Sequence, residues 1–269
     1  MRIISLIFFG ILCFSCSTKI QKNTDIQKSD EISGVIDENP SEKKSIINST
    51  VNSLNNDTSS YDKNDNLDRL KKHKDKLQTF SEKNIFLTIH KKLIVDLSQN
   101  HQDFFVSNPY FELLSYAYGN LFGEKGKDAA FIIYDRMENR ILILVYDEMS
   151  NEYSQLYKDL MVENGLEDCY YGSYNTLDYQ IGDELIWQEE YLIKQGESYL
   201  QYSPCRITDI SNDPNIVLSR GCFANDFSKT NTFISLCIPN SSVYNNWECL
   251  KYDKSRNLFI IYYGQAFAD

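Results

Sequence analysis

The chain has 269 residues, 38 acidic and 27 basic, giving a formal charge of −11, with 42% hydrophobic and 13% aromatic residues. Phosphate backbones are held largely by Lys and Arg that displace counterions, so this acidic balance, with no basic stripe, excludes nucleic acid as an expected partner. It excludes attraction to an anionic membrane surface for the same reason.

Taken in chain order, the first segment is Met1-Arg2-Ile3-Ile4-Ser5-Leu6-Ile7-Phe8-Phe9-Gly10-Ile11-Leu12-Cys13-Phe14-Ser15-Cys16. It carries one basic residue and an apolar run shorter than the roughly 20 residues of a spanning helix, and a polar tract follows. Residues 1–15 therefore read as a cleaved export signal. Ser15 before Cys16, with Leu12 upstream, resembles the bacterial lipobox. That resemblance implies a lipoprotein whose Cys16 is acylated, for instance with palmitate, and becomes the first residue of the mature chain. Two or more acyl chains, at about 0.8 kcal/mol per buried methylene, hold a soluble body at a membrane. Ser17 is an ordinary residue after the thiol and, by the same resemblance, implies the outer rather than the inner membrane of the cell envelope.

Residues 16–63 are mostly Ser, Thr, Asn, Asp, Glu and Lys with isolated Ile and Val. Such a stretch buries too little apolar area to offset its conformational entropy, so a disordered tether is expected. Residues 64–80 follow with interleaved charges and with Leu67, Leu70 and Leu77 on one face, which predicts an amphipathic helix. Residues 81–269 form the expected β-rich globular domain.

Within that domain, residues 85–89 and 93–97 are short apolar runs that fit either a strand or a buried helix. The pattern is then sharper. Runs at 110–118, 129–134, 140–146, 153–162, 181–193, 198–202, 205–210, 232–238 and 258–263 are separated by Asn, Asp, Ser and Gly turns. Spacings this short predict antiparallel hairpins rather than βαβ crossovers. The expected fold class is mainly β within α+β, with hairpins forming a β-sandwich or a partial propeller-like sheet, and a short N-terminal helix.

Between the first two sharp runs lies Gly119-Asn120-Leu121-Phe122-Gly123-Glu124-Lys125-Gly126-Lys127-Asp128, entering Ala129-Ala130-Phe131-Ile132-Ile133. Oxygen ligands at spaced positions of a Gly-containing loop suit a hard cation, and Asn120, Glu124 and Asp128 hold those positions. Loop and strand resemble the FG-GAP (integrin-type) calcium repeat. Phe122 replaces its second ligand and Lys125 stands beside the carboxylates, which predicts weak calcium affinity or none and a β-turn role. The resemblance extends through Arg140-Ile141-Leu142-Ile143-Leu144 and Asp168-Cys169-Tyr170-Tyr171-Gly172 to the pair at Trp247–Asp253 and residues 257–260. It implies a β domain used for binding rather than catalysis.

Cys169, Cys205, Cys222, Cys237 and Cys249 lie in an exported domain, where one or two disulfides with a thiol left over are expected. The alternative is unpaired cysteines acting as small apolar residues, since the spacings fit no metal template. His73, His90 and His101 all precede the sharp strands, and neither a Gly-x-Ser-x-Gly elbow nor a His-Glu-x-x-His pair occurs. The acidic group Asp183, Glu184, Glu189 and Glu190 reads as the solvated face of a hairpin, or else as a glycosidase pair. Tyr171 and Tyr174, with Tyr170 and Tyr179, and Tyr244 with Trp247 are candidate binding aromatics. The resulting expectation is a non-enzymatic, membrane-anchored binding domain for an envelope protein or glycan. An envelope hydrolase and an inhibitor of a secreted enzyme are the alternatives.

Overall fold

The computed structural model describes residues 60–123, 126–166, 176–224, 234–242 and 246–265, with side chains from residue 68 onward. All of them belong to one compact unit, Thr58–Asp269. Residues 1–59, which hold the expected export signal, Cys16 and nearly all of the expected tether, lie outside the described residues.

Helix α1 spans Ser60–Glu82. His73, Leu77 and Phe80, spaced four and three apart, form its buried stripe, whereas Leu70 is exposed. The helix therefore runs past the body it packs on. Asn84, at φ 58, reverses the chain into α2, Ile85–Leu93, so the ambiguous run at 85–89 is helical. Ile85, Phe86 and Ile89 share its buried face, and a short 3₁₀ turn, Ile94–Asp96, ends it. Helix α3, Gln99–Ser107, buries His101 and Phe105 one turn apart.

The first sheet is an antiparallel meander in the order β1 (Phe111–Gly119), β2 (Asp128–Asp135), β3 (Arg140–Asp147), β4 (Glu152–Gln155). In β2 and β3 the two faces alternate without a polar interruption. Ala130, Ile132, Tyr134, Ile141, Ile143 and Val145 point to one core, and Ala129, Phe131, Ile133, Leu142, Leu144 and Tyr146 to another. Full burial of such a side chain contributes about 1.5–3 kcal/mol, so this pair of strands anchors both layers.

The second sheet has the order β5 (Met161–Asn164), β10 (Leu258–Gln265), β9 (Trp247–Asp253), β8 (Ile234–Pro239), β6 (Arg206–Asp209), with β7 (Gly221–Phe223) also on β10. β5 pairs with the first half of β10 in parallel, through Leu258–Ile261, and β7 takes the second half, Tyr263–Gln265, antiparallel. This parallel pair departs from the hairpin-only expectation. It is possible because residues 165–257, with helices and with strands β6 to β9, separate β5 from β10 and give the chain length to cross over. One face of this sheet, with Leu236, Ile238, Leu250, Phe259 and Ile261, joins the core of the first sheet; the other holds Cys237, Trp247, Cys249, Tyr262 and Tyr263. The chain is α+β, with two open sheets meeting across a shared core.

The runs at 181–193 and 198–202 are helices rather than strands: α4 (Leu177–Trp187), α5 (Glu189–Gln195) and α6 (Tyr199–Tyr202). Leu177, Ile181 and Leu185 recur every four residues and are fully buried, a helical period that the surrounding Ile and Tyr obscure. Gly196, at φ 62, closes α5, and Ser198 with Gln201 forms a capping box on α6.

Three hairpin turns have one design. Tyr134-Asp135 to Asn139, Tyr146-Asp147 to Asn151 and Tyr252-Asp253 to Asn257 each place an Asn at positive φ (50, 56 and 52). In each, the tyrosine hydroxyl donates to the Asn side chain at 2.8, 2.8 and 2.7 Å. In each, an Asp oxygen accepts the backbone N–H two residues on, at 2.8, 2.9 and 2.9 Å. Asn tolerates the left-handed backbone, and the Asp closes the turn from inside.

Candidate functional site

The candidate site lies at the end of the first sheet where α3 folds back over it. Spacing of four residues puts His101 and Phe105 on the same face of α3, so both point at the sheet. His101 is 2% exposed. Its ring lies 5.0 Å from Phe131, 4.7 Å edge-on to Tyr146, 5.8 Å from Tyr153 and stacked at 5.6 Å on Tyr118. Nδ1 lies 2.5 Å from the Tyr153 hydroxyl. Burial lowers the His101 pKa and raises that of Tyr153, so both are neutral near pH 7. Either group can donate in this bond, according to the imidazole tautomer. In both tautomers Nε2 has no hydrogen-bond partner among the described residues.

His101 lines a cavity of about 710 Å³, within the 300–1,000 Å³ of small-molecule sites. Asp96, Ser98 and Asn100 from the α3 entry form one wall, and Tyr118, Lys127, Tyr146 and Glu148 from the strand ends form the other. Tyr118 is fixed at its tip, where its hydroxyl accepts the Ser98 N–H at 3.4 Å. The Tyr146 hydroxyl is held between Asn151 at 2.8 Å and Asn100 at 3.5 Å. Glu148 accepts the Lys127 N–H at 2.7 Å.

Beneath this wall lies the loop predicted to hold a cation. Asp128 is buried, and its Oδ2 accepts the N–H groups of Leu121 and Phe122 at 2.7 and 3.0 Å while Oδ1 accepts that of Glu148 at 3.2 Å. Asn120 Oδ1 accepts the Gly123 N–H at 3.1 Å. Both residues thus close the loop on its own backbone; Glu124 lies outside the described residues. Among the described residues no group of three or more His, Cys, Asp or Glu side chains converges as a metal site would require. Gly119 is needed because a Cβ there would stand 2.3 Å from Ile207 Cγ2, where β1 and β6 approach.

The other sequence candidates are dispersed. Trp247 is 2% exposed, with the Arg206 guanidinium 5.6 Å from its ring. Strand alternation buries it in the outer core of the second sheet, which corrects its reading as a binding aromatic. Tyr171, Tyr174, Tyr244 and Cys169 lie outside the described residues. Cys237 and Cys249 face each other across β8 and β9 and form a disulfide, and Cys222 is disulfide-bonded as well. Cys205 is a buried free thiol pushed up to about 12 by burial, far from the range of a reactive thiolate.

The acidic group stands on α4 and α5, not on a hairpin. Glu189 pairs with Lys76 at 2.7 Å, Glu190 pairs with Lys194, Asp183 lies 3.6 Å from His73, and Glu184 accepts the Ser242 N–H at 2.8 Å. Asp183 and Glu184 edge a more open hollow of about 500 Å³ beside the exposed Trp187. The His101 cavity was missed from sequence because the histidine precedes every strand. The available signal was the pair His101 and Phe105 at helical spacing after Ser98. No protein-family model, no curated protein and no solved structure matches the chain.

Proposed function

We propose that this chain is an outer-membrane lipoprotein, acylated at Cys16, whose tethered domain is a non-enzymatic binding module for a component of the cell envelope. The binding site in this reading is the His101 cavity. The observation that carries it is a pre-formed hollow whose aromatic and imidazole rings are held before any ligand arrives: His101 by Tyr153, Tyr118 by Ser98, Tyr146 by Asn151. Preorganisation of this kind lowers the ordering cost of association.

Two measurements test the two halves. A Cys16→Ser chain should lose metabolic palmitate label and leave the membrane fraction; a variant that still sediments with vesicles removes the lipid anchor from the proposal. Envelope extract passed over the immobilised full chain should leave a component on it that is absent from a Tyr118→Ala column. Equal retention by both columns would place binding elsewhere and sink the cavity reading.

A further inference from the structure

We infer that the His101 cavity takes a neutral saccharide of a few units, an assignment that rests on the binding role proposed above and names its ligand class. The first observation is the buried imidazole. His101 is 2% exposed, lines the cavity and leaves Nε2 without a partner among the described residues. A ligand hydroxyl can meet that nitrogen in either tautomer, since it both donates and accepts.

The second observation is the charge pattern. Asp96 and Lys127 line the cavity, and neither has a hydrogen bond or ion pair from its charged group among the described residues; Glu148 adds a further carboxylate. A simple anion entering here meets Asp96 and Glu148, and a simple cation meets Lys127. A hydroxyl-bearing ring suits both at once, because each hydroxyl donates to a carboxylate and accepts from an ammonium or an amide. The third is Tyr118, 38% exposed, whose tip is tied to Ser98 while one face stacks on His101. What it leaves for a ligand is ring surface, which suits the C–H face of a sugar.

A peptide added as a strand is disfavoured by the same geometry. β1 and β3 border the cavity through Tyr118, Gly119 and Tyr146; β3 is paired on both sides, and β1, paired with β2, has α2 and β6 packed against it, which leaves little room for backbone pairing.

The experiment is calorimetric titration of the purified full chain in detergent with maltotriose, cellotriose and chitotriose, and separately with trialanine and inorganic phosphate. At least one trisaccharide should bind, and Tyr118→Ala and His101→Gln should each weaken it about tenfold or more, the effect of one lost hydrogen bond or stacking contact. Tyr118→Ala alters a partly exposed ring, so it decides the matter if His101→Gln does not fold. Binding of trialanine or phosphate in place of the sugars, weakened by the same variants, overturns the saccharide assignment and leaves the cavity as the site. A sugar that binds but ignores both variants, or no binding by any probe, overturns the cavity reading itself.

Discussion

Both sheets carry buried apolar residues on their two faces but are assembled in opposite ways. In the first, β1 to β4 are neighbours in sequence and in space, joined by tight turns. In the second, β10 lies between β5, nearly a hundred residues earlier, and β9, which directly precedes it. Local pairing closes short loops and needs little beyond period-two alternation and good turns. Distant pairing costs more loop-closure entropy and leans on covalent and tertiary support. The second sheet has covalent support in the Cys237–Cys249 disulfide, which staples the neighbours β8 and β9 on directly opposed residues twelve apart and steadies β10 only through β9.

Removing that support should separate the sheets most. Replacing both Cys237 and Cys249 with Ser should cost about 2–4 kcal/mol, with amide exchange rising in β8, β9 and β10 well before β2 and β3. Uniform loss of protection in both sheets would show that they unfold as one unit, and would dissolve the contrast.

A second comparison uses the buried glutamates, one in each sheet. Glu112 on β1 and Glu248 on β9 are both raised to about 7 by burial; Arg136, 3.4 Å from Glu112, and the Asn240 amide on Glu248 oppose the shift only in part. A carboxyl whose folded pKa exceeds its unfolded value stabilises fully at low pH. That contribution is lost as pH rises from about 4.5 through 7. The three histidines, lowered by burial, act in the opposite sense, so the informative quantity is the difference from a variant. Glu248→Gln should gain about 1–3 kcal/mol over the unaltered chain between pH 5 and pH 8 in denaturant melts. A gap that stays constant across that range would refute the shift. Glu112→Gln, which strands Arg136, should gain less.

The smallest expected effect bears on what the sheets share. Asn139→Ala and Asn257→Ala force alanine into a left-handed backbone and remove the tyrosine's acceptor, at about 1 kcal/mol or slightly more each. Equal losses in thermal melts would mean that one turn design serves both sheets. A loss confined to Asn139 would tie it to the local meander.

These contrasts explain what the sequence revealed. β2 and β3 were legible because every residue from Ala129 to Tyr134 and from Ile141 to Tyr146 alternates between two buried faces, bounded by turns that Asp and Asn announce. The turn repeat itself, Tyr-Asp followed four residues later by Asn, marks these three hairpins and went unread, because two copies are twelve residues apart, the third is far away, and the same spacing at Tyr61-Asp62 to Asn66 lies in helix α1. Helices α4 and α5 were misread because Tyr179 stands between Leu177 and Ile181, and Ile186 and Tyr191 adjoin Leu185 and Leu192, so that extra apolar residues blur a four-residue period. Of the three loop residues singled out in the sequence, Asp128 and Asn120 spend oxygens on backbone donors, and Glu124 lies outside the described residues. The His101 cavity was not legible, since it depends on a helix before the sheet returning across the ends of strands that follow it.

The position of β10 has a consequence for how the domain comes into being. Every strand of the first sheet, with α1 to α3 and the hollow around His101, precedes residue 166, while α4 and α6, which pack on β3 and β1, follow it. A chain emerging N-terminus first can therefore pair these strands and shape the hollow while β5 still waits for its neighbour. Until Leu258–Gln265 appears, β5, β7 and β9 share a missing companion. A molecule halted shortly before that point would carry a formed pocket and unmated ribbons on one body, ready to clump with others like it.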